Sequence, residues 1–342
     1  MRRSELAEAL TIATRVVPTK TASPILECVK IGDSIEATDT EVGVRVALDC
    51  ECAPVCVPAE RLLAVVRSMD CDTVTIERAG DHVKVTGGGS VFTLACRDAS
   101  DFPRAGAGFD ESVQLHTLSA AVLKRGLDLV RFATDEASTR YALGAIEYRA
   151  GTLAATDTRR LSVVKLTDAG PTVLMPAKTI KALLPLLSEE VTLQVSDGGA
   201  QMQFQVGAVT LWSMSVQGRF PDWQRVMPSP SHIVAMPSEG LATALRQAIV
   251  TTAEESRGVD FRFAMGELTI TSRAADVGES KVVVPCEWPR AELKIVLDPK
   301  YLLDWLKLQV GTVSVGLTGP SDAMLLSTDE SRYVVMPLSA EA

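Results

Sequence analysis

Hydrophobic positions along the chain follow two periods. At Leu6, Leu10, Ala13 and Val17, at Val122, Leu123, Leu127 and Val130, and at Leu241, Leu245, Ala248 and Ile249 they recur at the spacing of an amphipathic helix. Each run follows a serine, Ser4, Ser119 or Ser238, which is expected to cap the helix N-terminus. A second set of helices is expected after Pro58, Pro176 and Pro299, because a first helical turn tolerates the missing proline N–H; Pro185 should end the second of them early. Between them apolar and polar residues alternate, predicting strands at Val74–Glu77, His82–Thr86, Val91–Ala95, Val191–Val195, Gln201–Val206, Val313–Leu317 and Ala323–Ser327.

These elements recur in the same order three times, about 115 to 119 residues apart. A strand ending in a polar turn reads IEATD at Ile35–Asp39, LAATD at Leu153–Asp157 and, more weakly, LTITS at Leu268–Ser272. The copies close on Phe102-Pro103, Phe220-Pro221 and Met336-Pro337, which places domains at 1–112, 113–233 and 234–342, with Pro228–Ser231 as the second linker. Two helices and several short antiparallel strands per copy define an α+β fold in which helices pack on one sheet face. An array of such units is a binding scaffold more often than an enzyme.

Composition narrows the class. The chain of 342 residues is 46% hydrophobic and 23% charged, and 43 acidic against 34 basic residues leave a net charge of −9, which speaks against a surface that grips nucleic acid everywhere. No apolar run reaches the length of a membrane span and Glu5 and Glu8 interrupt any signal core, so a cytoplasmic protein that does not enter membranes is expected. Seven cysteines, an odd number, are expected to stay reduced. Cys50, Cys52 and Cys56 share parity and would lie on one face of a strand; His82, His116 and His232 are too scattered to complete a metal site with them.

A search for chemistry yields little. Asp39 and Asp157 could form a carboxylate pair for a metal-dependent hydrolase, but aspartate after a strand is foremost a turn former. Gly87, Gly88 and Gly89 lack the Lys-Ser/Thr of a phosphate loop and sit between alternating strands, as in a hairpin. No nucleophile elbow or zinc-protease motif occurs, so no catalytic residue, metal or cofactor is assigned. Basic residues, by contrast, gather on the six expected helices: Arg15, Arg61, Arg67, Lys124, Arg125, Arg131, Lys178, Lys181, Arg246, Lys300 and Lys307. In an acidic protein this reads as a positive face for a phosphate backbone.

The segment GRFPDWQRVMP at Gly218–Pro228 and YVVMP at Tyr333–Pro337 closely resemble the bacterial DNA sliding clamps, the beta subunit of the replicative DNA polymerase III; so do SPIL at Ser23–Leu26, VPA at Val57–Ala59, and Thr156, Asp157, Arg159, Arg160 and Leu161. The resemblance runs in order through the whole chain. It implies a DNA clamp fold in which two subunits join head to tail into a six-domain ring, with helices lining the hole and sheets outside. It further implies a non-catalytic processivity factor, acting in DNA replication, that encircles duplex DNA without sequence preference and is opened by a clamp loader. Polymerase and other enzymes would be tethered by short peptide motifs.

By the same resemblance the peptide-binding pocket consists of Leu143, Thr156, Arg160, Leu161, Pro221, Arg225, Val226, Tyr301, Val334, Met336 and Pro337, with Arg160 and Arg225 at its rim. Lys20, Lys124, Arg125, Lys178 and Arg246 would face DNA, and the homodimer joint would bring Arg61 and Phe92 of one subunit against Ile249 and Val250 of the other. Ala142, Ser256 and Asp298 depart from common family residues, and the chain continues past Pro337 through Leu338–Ala342. These departures keep open a specialised clamp paralogue with altered partner preference.

Overall fold

The structure, a computed structural model, describes residues 1–50, 52–103, 114–138, 140–252, 258–289 and 291–338. The first third of the chain supplies α1 (Arg3–Ala13), β1 (Cys28–Ile31), β2 (Ser34–Thr38), β3 (Val42–Ala47), β4 (Val55–Pro58), α2 (Ala59–Ser68), β5 (Thr75–Ala79), β6 (His82–Gly87), β7 (Ser90–Ala95) and β8 (Arg97–Asp98). The second supplies β9 (Gln114–Ser119), α3 (Ala120–Val130), β10 (Ala145–Arg149), β11 (Thr152–Thr156), β12 (Arg160–Lys165), β13 (Val173–Pro176), α4 (Ala177–Leu183), β14 (Glu190–Val195), β15 (Gln201–Val206) and β16 (Val209–Met214). The last contains β17 (His232–Pro237), α5 (Ser238–Ala248), β18 (Val259–Ala274), β19 (Gly278–Glu287), β20 (Leu293–Leu297), α6 (Pro299–Leu306), β21 (Thr312–Leu317), β22 (Met324–Ser327) and β23 (Ser331–Val335).

These elements form two compact units, Met1–Lys124 with Lys178–Val216, and Arg125–Ala177 with Gln217–Ala342. Each contains one large antiparallel sheet built on the same plan. In the first unit the strand order is β8-β4-β1-β2-β3-β16-β15-β14-β9, and in the second β13-β10-β11-β12-β23-β22-β21-β17. Each sheet is two halves from different copies, joined at a seam: β3 with β16, and β12 with β23. The seams match in register, Gly43 opposite Trp212 and Leu161 opposite Val334. At the end of each seam, Met214 N–H donates to the Glu41 carbonyl and Met336 N–H to the Arg159 carbonyl, both at 2.8 Å.

The remaining strands form smaller sheets, β5-β6-β7 and β19-β18-β20. They are the halves left over from the same plan. Long β18 turns at Gly266 (φ 85°), pairing its first part with β20 and its second with β19. Among the described residues, β7 and β19 therefore end as sheet edges.

Local chemistry explains several elements. Gly88 and Gly89 hold φ of 56° and 80° between Gly87 and Ser90, which pair; this is a two-residue hairpin that only glycines adopt without strain. Helix α4 stops at Leu183, and Pro185 lies in the 3₁₀ turn that follows. Asp298 caps α6 through its carboxylate, which accepts from Lys300 N–H at 2.9 Å.

Two of the three serine caps are corrected. Ser4 lies inside α1, whose N-cap is Arg2, and Ser238 is the buried first residue of α5; neither helix has a side-chain cap. Neighbouring backbone replaces them: Arg3 N–H donates to the Asp72 carbonyl and Ser238 N–H to the Gly311 carbonyl, both at 2.8 Å. Strand parity for the three cysteines is corrected too. Cys56 is buried in β4, while Cys50 and Cys52 lie before the strand begins. Burial pushes the Cys56 thiol up to about 12, and burial with the adjacent Cys50 thiol does the same for Cys52. Among the described residues no group of three or more His, Cys, Asp or Glu is placed to hold a metal ion.

Candidate functional site

Pairing in the second sheet decides which side chains share a face. Ser162 Oγ donates to the Leu129 carbonyl of α3 at 2.6 Å, and Tyr333 stacks on Trp305 of α6 at 5.8 Å, so this row faces the helices. The adjacent rows face away from them. One consists of Thr156, Leu161, Val334 and Leu325 in consecutive register across β11, β12, β23 and β22, and Met336 continues its side of β23. The next holds Glu147, Ala154, Val163 and Arg332.

The segment after Phe220 is tied to this outer face. Trp223 Nε1 donates to Glu147 Oε2 at 2.9 Å, and burial raises the Glu147 carboxyl despite that bond and the charge of Arg149. Thr156, Leu161 and Val334 are buried, as is Leu143 in the 3₁₀ turn before β10. At the surface stand Pro221, Val226 (62% exposed) and Met336 (46%), with Pro337 half-buried. Arg225 is 84% exposed, its Nε 2.9 Å from Asp222. A cleft of about 510 Å³ extends along the same face, lined by Thr152, Val163, Lys165, Trp223, Met227 and Arg332 among others.

Arg160 behaves differently from Arg225. Its backbone pairs with Val335, which points its side chain to the helix side of the sheet, and the side chain is only 10% exposed. The guanidinium bonds Asp157 and Asp304 at 2.8 Å each, and lies 5.5 Å from the Phe132 ring centroid and 4.5 Å from that of Tyr301. Burial lowers its basicity, but the Asp304 bond and the other negative partners carry it above the ordinary arginine value. Arg160, read as a rim cation, thus stands on the helix side of the sheet with its guanidinium engaged, where it holds Tyr301 and the Asp157 turn in place. Phe132 and Asp304, absent from the sequence reading, complete the cluster; the spacing from Tyr301 to Asp304, one helical turn, was the available signal.

Asp157 is a turn former. Its Oδ1 accepts from Arg159 and Arg160 N–H at 3.0 and 2.9 Å, and Thr156 Oγ1 donates to the Arg160 carbonyl at 2.7 Å. Asp39 repeats this with Glu41 and Val42 N–H at 3.0 and 2.8 Å, and Thr38 Oγ1 donates to the Val42 carbonyl at 2.9 Å. Thr158 and Thr40 take left-handed φ of 77° and 81° in these turns. Both carboxylates thus bond backbone N–H groups and cations, Arg160 for Asp157 and Lys178 for Asp39.

Of the residues assigned to DNA, Lys20 lies beyond the end of α1, and Lys124 and Arg246 lie on α3 and α5; all three are exposed. Lys178 is paired with Asp39 and Glu41, whose bonds outweigh burial and raise its pKa. Arg125 is held by Glu330 and the Leu308 carbonyl at 2.8 and 2.9 Å. Arg61 is exposed on α2 and Phe92 half-buried on β7; Ile249 is half-buried and Val250 exposed just after α5. Ala142 is half-buried beside Leu143; Ser256 and residues 339–342 lie outside the described residues.

Antiparallel sheets joined across copies at matched seams, each carrying helices on one face and a Thr-Asp turn at the joint, define the DNA clamp fold. Models of the DNA polymerase III beta subunit match the chain three times: the N-terminal domain at residues 1–106, the central domain at 117–222 and the C-terminal domain at 224–339. The beta sliding clamp of Proteus mirabilis is 30% identical, over 89% of this chain and 88% of its own. That of Pseudomonas aeruginosa is 29% identical, over 99% and 98%. A crystal structure of the P. aeruginosa sliding clamp with ligand superimposes with a TM-score of 0.91 at 27% identity, covering 99% of this chain and 98% of that one. Another, bound to griselimycin, gives 0.90 at 28% identity with the same coverage. The chain belongs to the DNA polymerase III beta-subunit family, the bacterial beta sliding clamps.

Proposed function

We propose that two copies of this chain close head to tail into a ring around duplex DNA and serve there as a processivity factor. The observation that carries this is the incomplete third seam. By position in the repeated plan, β7 corresponds to β16 and β19 to β12, yet β7 and β19 are edges where their counterparts are paired. A second copy supplies the missing partner, β7 of one chain against β19 of the other, and the reciprocal joint closes the assembly. The three domains of each subunit are 1–112, 113–233 and 234–342.

The ring binds DNA through Lys20, Lys124 and Arg246, without base recognition, because mobile exposed cations contact phosphates and carry no sequence information. Arg125 and Lys178 contribute less, since carboxylates hold both and offset their charge. No catalysis is assigned: the two candidate carboxylates are occupied in turns. Topological enclosure of a chromosome implies a cytoplasmic protein; among the described residues no helix is long and apolar enough to cross a membrane.

Partners dock through an extended peptide with a Leu and an aromatic anchor. The row Thr156, Leu161 and Val334 is its apolar floor, Val226, Met336, Pro221 and Pro337 its walls, Leu143 and Tyr301 its ends, and Arg225 the rim cation. Polymerase catalytic subunit and clamp loader are the expected partners. Extension of a primed circular template by a replicative polymerase, with loader and ATP, tests the whole reading: longer products with this protein support it, and unchanged product length rejects it.

A further inference from the structure

Pro221, Arg225 and Val226, proposed above as wall and rim of the peptide site, ride on a stretch with little to hold it in place. Of the six residues from Pro221 to Val226 five are exposed, and the covered one is Trp223. The 3₁₀ turn Trp223–Val226 has no side-chain cap. Its other bonds are local: Trp223 N–H donates to the Pro221 carbonyl at 2.8 Å, Arg225 N–H to the Asp222 carbonyl at 3.3 Å, and Arg225 Nε pairs with Asp222 at 2.9 Å. Buried Phe220 anchors the chain just before this stretch. Among the described residues, the polar tie from the stretch itself to the sheet is the bond from Trp223 Nε1 to Glu147 Oε2.

Glu147 is buried on β10, in the row beside Thr156, Leu161 and Val334. Burial opposes its charge, and of the groups that offset this the Trp223 bond comes before the charge of Arg149. A carboxylate in such a place costs stability, so its presence calls for a reason beyond filling the sheet. The repeat supplies one. The corresponding position of the first unit is Lys30, which pairs with Glu36 in its own sheet at 3.3 Å. An acceptor for an indole thus stands at the seam with the proposed docking site and is missing at the other.

We infer that Glu147 and Trp223 are positioning residues of the docking site: their bond holds Pro221, Arg225 and Val226 against the sheet before a partner peptide arrives. A wall ordered in advance spares the peptide that ordering cost on binding. This rests on peptide docking at β12–β23 as proposed above.

The test is calorimetric titration of an extended peptide bearing a Leu and an aromatic anchor into wild type, Trp223→Phe, Glu147→Leu and the double variant, each checked for folding by circular dichroism. Each single variant is expected to bind about tenfold more weakly, about 1.4 kcal/mol, and the double variant no more weakly than either, because all three lose the same bond. Glu147→Gln, which keeps an acceptor, should recover the affinity lost in Glu147→Leu to within about twofold of wild type. Trypsin cleavage after exposed Arg225 gives a readout that needs no peptide; it should be faster in both single variants and slowed again in Glu147→Gln. Single variants that bind as wild type does, losses that multiply in the double variant, or a Glu147→Gln as weak as Glu147→Leu overturn the inference. If wild type binds no peptide, docking at β12–β23 fails instead and cleavage decides the tie alone: faster cutting in the single variants supports it, and unchanged cutting overturns it.

Discussion

Arg160 and Tyr301 meet with the guanidinium 4.5 Å from the ring centroid, while the same guanidinium bonds Asp157 on its own strand turn and Asp304 one helical turn beyond Tyr301. One buried cation thus fixes a helix to the end of a sheet, beside the residues proposed to receive partner peptides. Arg160→Met leaves two carboxylates short of a cation in a partly buried place, a loss of about 3–5 kcal/mol in urea unfolding. Hydrogen bonds from Lys307 and Arg160 hold Asp304 below its ordinary pKa against the opposing effect of burial. Its contribution is present above pH 3.8 and lost as pH falls through the lowered value, so in the variant the acid side of the stability curve should flatten.

Met336→Ala removes one exposed apolar wall and should weaken a polymerase-derived peptide by about 1–3 kcal/mol, the size of one anchor's burial. Subunit association is expected to be unchanged. Calorimetry and sedimentation on the same preparation separate the two effects.

Phe92→Ala should act the other way. The ring is half-buried within its own chain, so the partner can cover only the remainder, and the dimer should weaken by about 2 kcal/mol rather than the 3–5 of a wholly buried ring. Sedimentation equilibrium would then show monomer at concentrations where wild type is dimeric, with peptide affinity intact.

Glu147 offers a pH test of the outer face. Burial, the largest influence, raises its pKa above 4.5. Such a group contributes stability below 4.5 and loses it as pH rises through the folded value. Glu147→Gln keeps an acceptor for Trp223 and removes the buried charge, so its melting temperature should exceed that of wild type at pH 8, with the gap closing toward pH 4.5.

Much of this was legible in the chain itself because the signals were local. The Gly87–Gly89 hairpin, the stop at Pro185 and the turns at Asp39 and Asp157 depend on residues within a few positions of one another. The threefold repeat revealed the helices and strands, but not that sheets would be shared between copies: seam pairing such as Leu161 with Val334 joins residues far apart in sequence. Arg160 was read as a rim cation for the same reason, since Asp304 and Phe132 approach it only through tertiary packing. Ser4 and Ser238 misled because the helices begin at Arg3 and at Ser238 itself, where the distant carbonyls of Asp72 and Gly311 accept from the first N–H groups.

The seam plan gives every copy two unlike, mutually complementary borders, and the middle one uses both within the chain through β12 and β16. Released from its neighbours, a lone central copy would present those borders bare, and each could accept the opposite border of an identical molecule. Such heterologous joining has no internal stop: it ends when the turn per step closes a circle and otherwise grows as a fibre. Fusing three copies on one polypeptide leaves only β7 and β19 open, so a circle of six copies needs two joints between molecules instead of six.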